Sequence, residues 1–364
     1  MKPREYILAV NPGSTSTKVA LFAGETNIRQ KSLNHSPEEI KKFDRISGQF
    51  QFRTGMVLNW LREEAIELGS LSAVVGRGGI LRPMPGGTYK VTDIMIEDLK
   101  SASREEHASN LGAMIAKAIA DREGIPSFIV DPVAVDEFED LARISGMREI
   151  PRRSLVHALN VKAVSRRIAK QYNKRLEDIN LIVAHLGGGI TIAPVRGGKI
   201  IDANVANDMG PFSPERAGGV PVGDLIRLIF SGKYNQKEIK KKTVGEAGLV
   251  AYLGTNDARE VEDRIRKGDE YAKIIYESMC YQVSKEIGSM AAVLYGKVDA
   301  IVVTGGLAYS EYFVNYISKM VKFIAPVEVV AGEDEMLALA QGAARVINGE
   351  EIAKIYEDEV EIND

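Results

Sequence analysis

The sequence predicts an α/β protein made of two related halves, each built around a glycine-bearing hairpin suited to phosphate. Three observations predict it. Strand-like and helix-like stretches alternate along both halves, which is the pattern of layered α/β domains and not of a bundle or sandwich. Asn11-Pro12-Gly13-Ser14-Thr15-Ser16-Thr17-Lys18 lies between the apolar runs 6–10 and 19–22 and reads as strand, tight turn and returning strand. The design recurs at His185-Leu186-Gly187-Gly188-Gly189, between the apolar runs 181–184 and 190–193. Aligning Ala184 with Ala9 also aligns Gly188 with Gly13 and Thr191 with Ser16, which points to an internal duplication.

In the first hairpin, glycine lets the backbone approach a ligand closely, and consecutive N–H groups in such a turn form an anion-binding nest. Hydroxyls and Lys18 crowd the same turn, a combination suited to polyphosphate. Neither hairpin is the G-x-x-x-x-G-K-[ST] loop or the G-x-G-x-x-G fingerprint. A second repeated pair supports the duplication: Ala73-Val74-Val75-Gly76-Arg77-Gly78-Gly79 and Ala300-Ile301-Val302-Val303-Thr304-Gly305-Gly306 are each a buried strand running into a glycine turn.

A chain of 364 residues exceeds what one core usually holds, so two domains are expected. Hydrophobic residues at 45% and charged residues at 27% are ordinary for a soluble protein, and a net charge of −3 leaves no electrostatic footprint for nucleic acid or an anionic membrane. Cys280 is the single cysteine, which excludes an internal disulfide or a cysteine-based metal site and fits a reducing cytoplasm. The N-terminus runs straight into a strand without a signal-like apolar core, and no apolar run reaches bilayer length. The expectation is a cytoplasmic protein with no membrane and no nucleic-acid partner.

In chain order, a helix is expected over 54–68, capped by Thr54 and stopped by Gly69. The loop 81–87, directly after Arg77, is placed to wall a substrate pocket. Ser103 with Glu106 reads as a capping box opening a helix through Leu111, Met114, Ile115 and Ile119, with His107 in its first turn. The strand 128–130 ends on Asp131-Pro132, a position where a carboxylate can take Mg²⁺. Ser154 is expected to cap a helix carrying His157 in its first turn. The period-free stretch 202–223 is long enough to expect function. Helices follow at 224–230, from Asn256 or Asp257, over 269–294 and over 336–347, with a strand at 326–330. Lys240-Lys241-Lys242 reads as a solvated face, and Glu333-Asp334-Glu335 as acids suited to a helix dipole.

These residues resemble the acetate and butyrate kinases. Val10 to Lys18 is similar to the first signature of that family and His185 to Thr191 to its second. The likeness runs in family order over nearly the whole chain, through Arg77, His107, Asp131, His157, the Met209-Gly210 loop, Asp257 with Arg259, Gly305-Gly306 and Glu335. Gly86-Gly87-Thr88-Tyr89 and Pro211-Phe212-Ser213-Pro214-Glu215-Arg216 are closest to the butyrate kinase branch. The resemblance implies two duplicated ribonuclease H-like domains of the actin, Hsp70 and sugar-kinase type with an interdomain active-site cleft. One lobe would be 1–152 plus 336–364 and the nucleotide-binding lobe 153–335.

The reaction implied is transfer of the ATP γ-phosphoryl to a butyrate or branched short-chain carboxylate, yielding acyl phosphate and ADP with Mg²⁺. The implied roles are Arg77 on the substrate carboxylate, His157 on the transferring phosphoryl group, and Asp131 and Glu335 on Mg²⁺. Asn11, Ser14, His185, Gly187, Gly188 and Gly189 would cradle phosphates; Asp257, Arg259, Gly305 and Gly306 would hold adenosine. The family also implies a homo-oligomer, a dimer or larger. One position departs: the acetate kinases' second active-site arginine falls at Pro221, so either Arg216 supplies that charge or the site works with one arginine. Acetate or propionate as acceptor, a polyol kinase of the same superfold, and a non-catalytic nucleotide-binding protein are the other readings.

Overall fold

The computed structural model describes residues 4–101 and 106–361. The chain forms two compact units, Met1–Asp136 with Asp334–Asp364, and Glu137–Glu333. The sequence reading places the boundaries at 152 and 335 instead. Among the described residues, strands β1 (Tyr6–Pro12), β2 (Ser16–Ala23), β3 (Thr26–Asn34), β4 (Leu71–Arg77), β5 (Thr88–Lys90) and β6 (Ser127–Val130) belong to the first unit. Strands β7 (Leu181–Leu186), β8 (Ile190–Arg196), β9 (Lys199–Ile200), β10 (Ala300–Gly305) and β11 (Val327–Ala331) belong to the second, and β12 (Lys354–Ile355) returns to the first.

In the first unit β1 pairs antiparallel with β2 and parallel with β4; β2 pairs with β3, and β4 with β6. In the second unit β7 pairs antiparallel with β8 and parallel with β10; β8 pairs with β9, and β10 with β11. The order β6-β4-β1-β2-β3 thus recurs as β11-β10-β7-β8-β9. The repeated hairpins are equivalent elements of a duplicated sheet, as the aligned glycines predict. β5 and β12 extend the first sheet at its β6 edge.

Both sheets are covered on both faces, so their central strands read as continuous apolar runs. Leu8, Ala9 and Val10 of β1 are fully buried, as are Ile182, Val183 and Ala184 of β7. The helix Asn110–Ala120 packs on β4 and β1, and Glu335–Ile347 packs on β1, β4 and β6. Gly112 permits the first contact, since a Cβ there would run into the Arg77 backbone. In the second unit Glu270–Val293 lies on β7 and β8, and Ala158–Gln171 on β7 and β10. No helix among the described residues is long and apolar enough to cross a membrane.

Three local expectations differ from the structure, and one strand is new. The helix expected at 54–68 runs Phe50–Glu63. Thr54 lies inside it with Oγ1 donating to the Phe50 carbonyl, and Ala65, left-handed at φ 54°, ends it where Gly69 was expected to. Ser154 caps no helix: Ala158–Gln171 starts at His157, four residues after Arg153, and the segment before it is anchored by Arg152 to Asp202 at 2.8 Å and to the Ala203 carbonyl at 2.7 Å. The helix expected at 224–230 begins at Val222, straight after Pro221. Strand β3 has no apolar alternation to announce it, since Leu33 is its one buried residue. Ser103 lies outside the described residues; Glu106 instead accepts from Arg45, Ser47 and the Ile46 amide.

Candidate active site

Residues at strand ends make the site in each unit. In the first unit, β4 delivers Arg77, β1 delivers Asn11, and Glu335 opens the helix Glu335–Ile347. Arg77 Nη1 donates to Glu335 Oε1 at 2.5 Å, and Asn11 Nδ2 donates to Glu335 Oε2 at 2.6 Å. The arginine is 9% exposed and the glutamate side chain 27%, so this is a charge-assisted pair with its arginine desolvated. Asp131 follows β6 and is fully buried in a left-handed conformation, φ 38°. Its Oδ1 accepts from the Gly87 amide at 2.8 Å, and its own amide donates to the Gly87 carbonyl at 3.0 Å. The loop 81–87 is therefore tied to the end of β6.

The first hairpin turn rests on Arg53. Its guanidinium donates to the carbonyls of Gly13 at 2.7 Å, Ser16 at 3.2 Å and Ser14 at 3.3 Å, while Gln49 accepts from it at 2.7 Å. Burial lowers the Arg53 pKa to about 10. Beside it, His35 Nε2 meets Thr17 Oγ1 at 2.9 Å, and burial with the neighbouring guanidinium lowers the His35 pKa to about 4. Ser14 itself is exposed at the tip.

In the second unit His185, at the end of β7, is 1% exposed. Its Nδ1 lies 3.0 Å from Asn160 Oδ1 and its Nε2 3.3 Å from Glu333. His157 lies flat on the same ring and its Nδ1 meets Thr191 Oγ1 at 2.8 Å. The glycine turn that follows is closed in by the loop 213–216. Ser213 Oγ donates to the Gly188 carbonyl at 2.5 Å, and the Arg216 guanidinium occupies the space a Cβ on Gly189 would need. Burial lowers the Arg216 pKa, against the pull of Glu215.

Next to this turn opens a cavity of about 720 Å³, within the range of small-molecule sites. Gly187, Gly188, Asp257, Arg259 and Gly306 line it together with Glu215, Asn256 and Glu262. Asp257 caps the helix Ala258–Arg266 and pairs with Arg259, which lowers the Asp257 pKa to about 2. Arg259 is 90% exposed, so the pair stands on the cavity rim. Gly305, the residue before the lining Gly306, does not itself line the cavity and exchanges backbone hydrogen bonds with Gly332.

The expected residues therefore gather into three groups: Asn11, Arg77 and Glu335; His157 and His185; and the cavity-lining set. Asp131 binds the 81–87 loop. Sequence reading missed Arg53, Asn160, Glu333, Asn256 and Glu262. Arg53 left a signal, a charge four residues before Val57 on the apolar stripe of its helix; Glu262, four residues after Ala258, left none.

Residues 147–354 match the acetokinase family. The chain is 54% identical over 351 residues to a probable butyrate kinase of Clostridium botulinum (strain Alaska E43 / Type E3), covering 96% of this chain and 99% of that one. It is 53% identical to butyrate kinase 1 of Clostridium acetobutylicum over the same shares. The acetate kinase of Porphyromonas gingivalis superposes with a TM-score of 0.79 at 18% identity, over 94% of this chain and all of that one, and so shares the fold. With two duplicated sheets, a glycine hairpin in each and near-full-length identity above one half, this chain belongs to the acetokinase family.

Proposed function

We propose that the chain transfers the ATP γ-phosphoryl group to butyrate or a related short-chain carboxylate, giving the acyl phosphate and ADP. The observation that carries this reading is the 52–54% identity, over 96% of the chain, to proteins named butyrate kinase or probable butyrate kinase.

A carboxylate acceptor is ionised at neutral pH, so it needs no general base. Catalysis then consists of holding two anions together and spreading the charge of the transferring group. Arg77 binds the substrate carboxylate, giving up its present partner Glu335 for a second carboxylate. His157 donates to the transferring phosphoryl group, its ring held by Thr191 and the His185 face. Asn11, Ser14, His185 and the Gly187-Gly188-Gly189 turn cradle the phosphates. Arg216, desolvated against Gly189, supplies the charge that Pro221 lacks.

Asp131 and Glu335 would hold Mg²⁺, which when bound neutralises charge on the phosphate oxygens. Carboxylate oxygens are hard donors of the kind Mg²⁺ takes, with waters and phosphate oxygens for the rest of its shell, and Arg77, in turning to the substrate, would free Glu335 Oε1 for the ion. Asp257, Arg259 and Gly306 hold the nucleoside. A homo-oligomer is supported by the exposed apolar side chains Val222, Ile226 and Phe230, the last 83% exposed.

Trapping acyl phosphate with hydroxylamine, from ATP, Mg²⁺ and separately offered acetate, propionate, butyrate, isobutyrate and glycerol, tests the reading. Hydroxamate from butyrate or isobutyrate ahead of acetate supports it. Acetate in the lead overturns the acceptor, and no hydroxamate from any acid overturns the activity.

A further inference from the structure

Glu262 presents a carboxylate to the nucleotide cavity in an arrangement that the roles above leave unused. It lines the cavity beside Ser310. Its Oε1 is anchored twice, accepting from the Tyr276 hydroxyl at 2.8 Å and the Ser310 hydroxyl at 2.5 Å. Tyr276 is fully buried and Ser310 caps the helix Glu311–Val321, so the carboxylate is fixed from two directions. Oε2 makes no hydrogen bond to the described residues. Ala258 precedes Glu262 by one helical turn on the cavity side and is too small to cover it.

A carboxylate can only accept, so what it recognises is a donor. A polyphosphate offers none; the nucleoside does. Resting on the nucleotide reading above, we propose that Glu262 is a specificity residue whose Oε2 accepts a hydrogen bond from the nucleoside of the bound nucleotide. That donor is the exocyclic amine of adenine or a ribose hydroxyl. Because Oε1 is already occupied, one oxygen reads one donor, and the paired donors of a guanine edge are not matched.

Glu262→Gln separates this role from simple support. The amide carbonyl can still accept from Tyr276 and Ser310, which turns the amide N–H₂ toward the cavity and replaces an acceptor with a donor. Kd and KM are measured for ATP, inosine triphosphate, 2′-deoxy-ATP and 3′-deoxy-ATP, on the unmodified chain and on Glu262→Gln. If the base amine is read, the unmodified chain binds inosine triphosphate about tenfold more weakly than ATP. Glu262→Gln then weakens ATP by a similar factor and narrows or reverses the preference, since the 6-oxo group accepts from the amide. If a ribose hydroxyl is read, one deoxy analogue takes the tenfold loss in the unmodified chain and the variant no longer distinguishes it. The butyrate KM and Tm stay unchanged in either case.

Equal affinity of the unmodified chain for all four nucleotides overturns the proposal, whether or not the variant folds, and so does a variant that keeps the original ratios. Failure to bind ATP overturns both readings. ATP binding without acyl phosphate formation overturns the kinase reading alone, and the Kd series still decides the role of Glu262.

Discussion

His157 lies flat against His185, ring centroids 3.9 Å apart and planes within 13°. Each ring has its own partner, His157 on Thr191 and His185 on Asn160. His185 is 1% exposed and belongs to the strand, whereas His157 stands at a helix start. Their substitutions therefore separate. His157→Ala is expected to lower kcat about 100-fold with little change in Tm, as for loss of a transition-state donor. His185→Ala should lower kcat and also remove about 1–3 kcal/mol of stability, because it opens a buried space and strands Asn160. Hydroxamate kinetics and calorimetry on both variants check this.

Arg53 supports three carbonyls of the first hairpin turn from within the core. Arg53→Ala leaves them without that donor and is expected to cost about 3 kcal/mol or more. Arg53→Lys, with one ammonium in place of a fork, should recover part of the stability and less of the ATP affinity. Urea denaturation and the ATP KM of the two variants measure the split.

His35 is 4% exposed, and its Nδ1 finds no hydrogen-bond partner among the described residues. Its pKa is lowered from 6.5 to about 4 in the folded chain, so the unfolded chain binds the extra proton first. Stability from this group is complete above pH 6.5 and is lost as pH falls toward 4, by up to about 3 kcal/mol. Urea midpoints at pH 7 and pH 5 should differ more for the unmodified chain than for His35→Gln. Equal pH dependence in the two would sink the assignment.

Gly189 faces the Arg216 guanidinium with no room between them. Gly189→Ala displaces the end of a flexible side chain and not backbone, so Tm should move by no more than about 2 °C while activity falls about tenfold. Arg216→Ala, combined with it, should add little further loss, because both act on the same charge.

Glu335 ties Asn11 and Arg77 together and is a proposed Mg²⁺ carboxylate. Glu335→Gln is expected to raise the Mg²⁺ concentration for half-maximal activity about tenfold or more, and Arg77→Ala to raise the butyrate KM with less effect on the ATP KM. Initial rates over Mg²⁺ and butyrate series check both.

Elements with strong period and clear boundaries were legible: the helix Glu270–Val293 starts after Asp269, whose side chain caps it, and β11 lies within one residue of expectation. Elements set by their surroundings were not. Strand β3 buries only Leu33 and exists because β2 offers it an edge. The helix at Ala158 starts without a side-chain cap, so no capping residue marks its beginning in the sequence. Glu262 looks like any surface glutamate until Tyr276 and Ser310 are placed beside it.

The sequence alone determined the two hairpins, their glycine turns, the repeated strand after each, and hence the duplicated α/β architecture. These follow from backbone freedom at glycine and from hydrophobic period, which act over a few residues. Only the tertiary structure decided that Asn11 and Arg77 meet on Glu335, across 324 and 258 residues of chain, that His157 stacks on His185, and that Arg216 lies on Gly189. Such contacts depend on which strand ends the topology brings together and on how side chains are held there, and local preference carries no information about either.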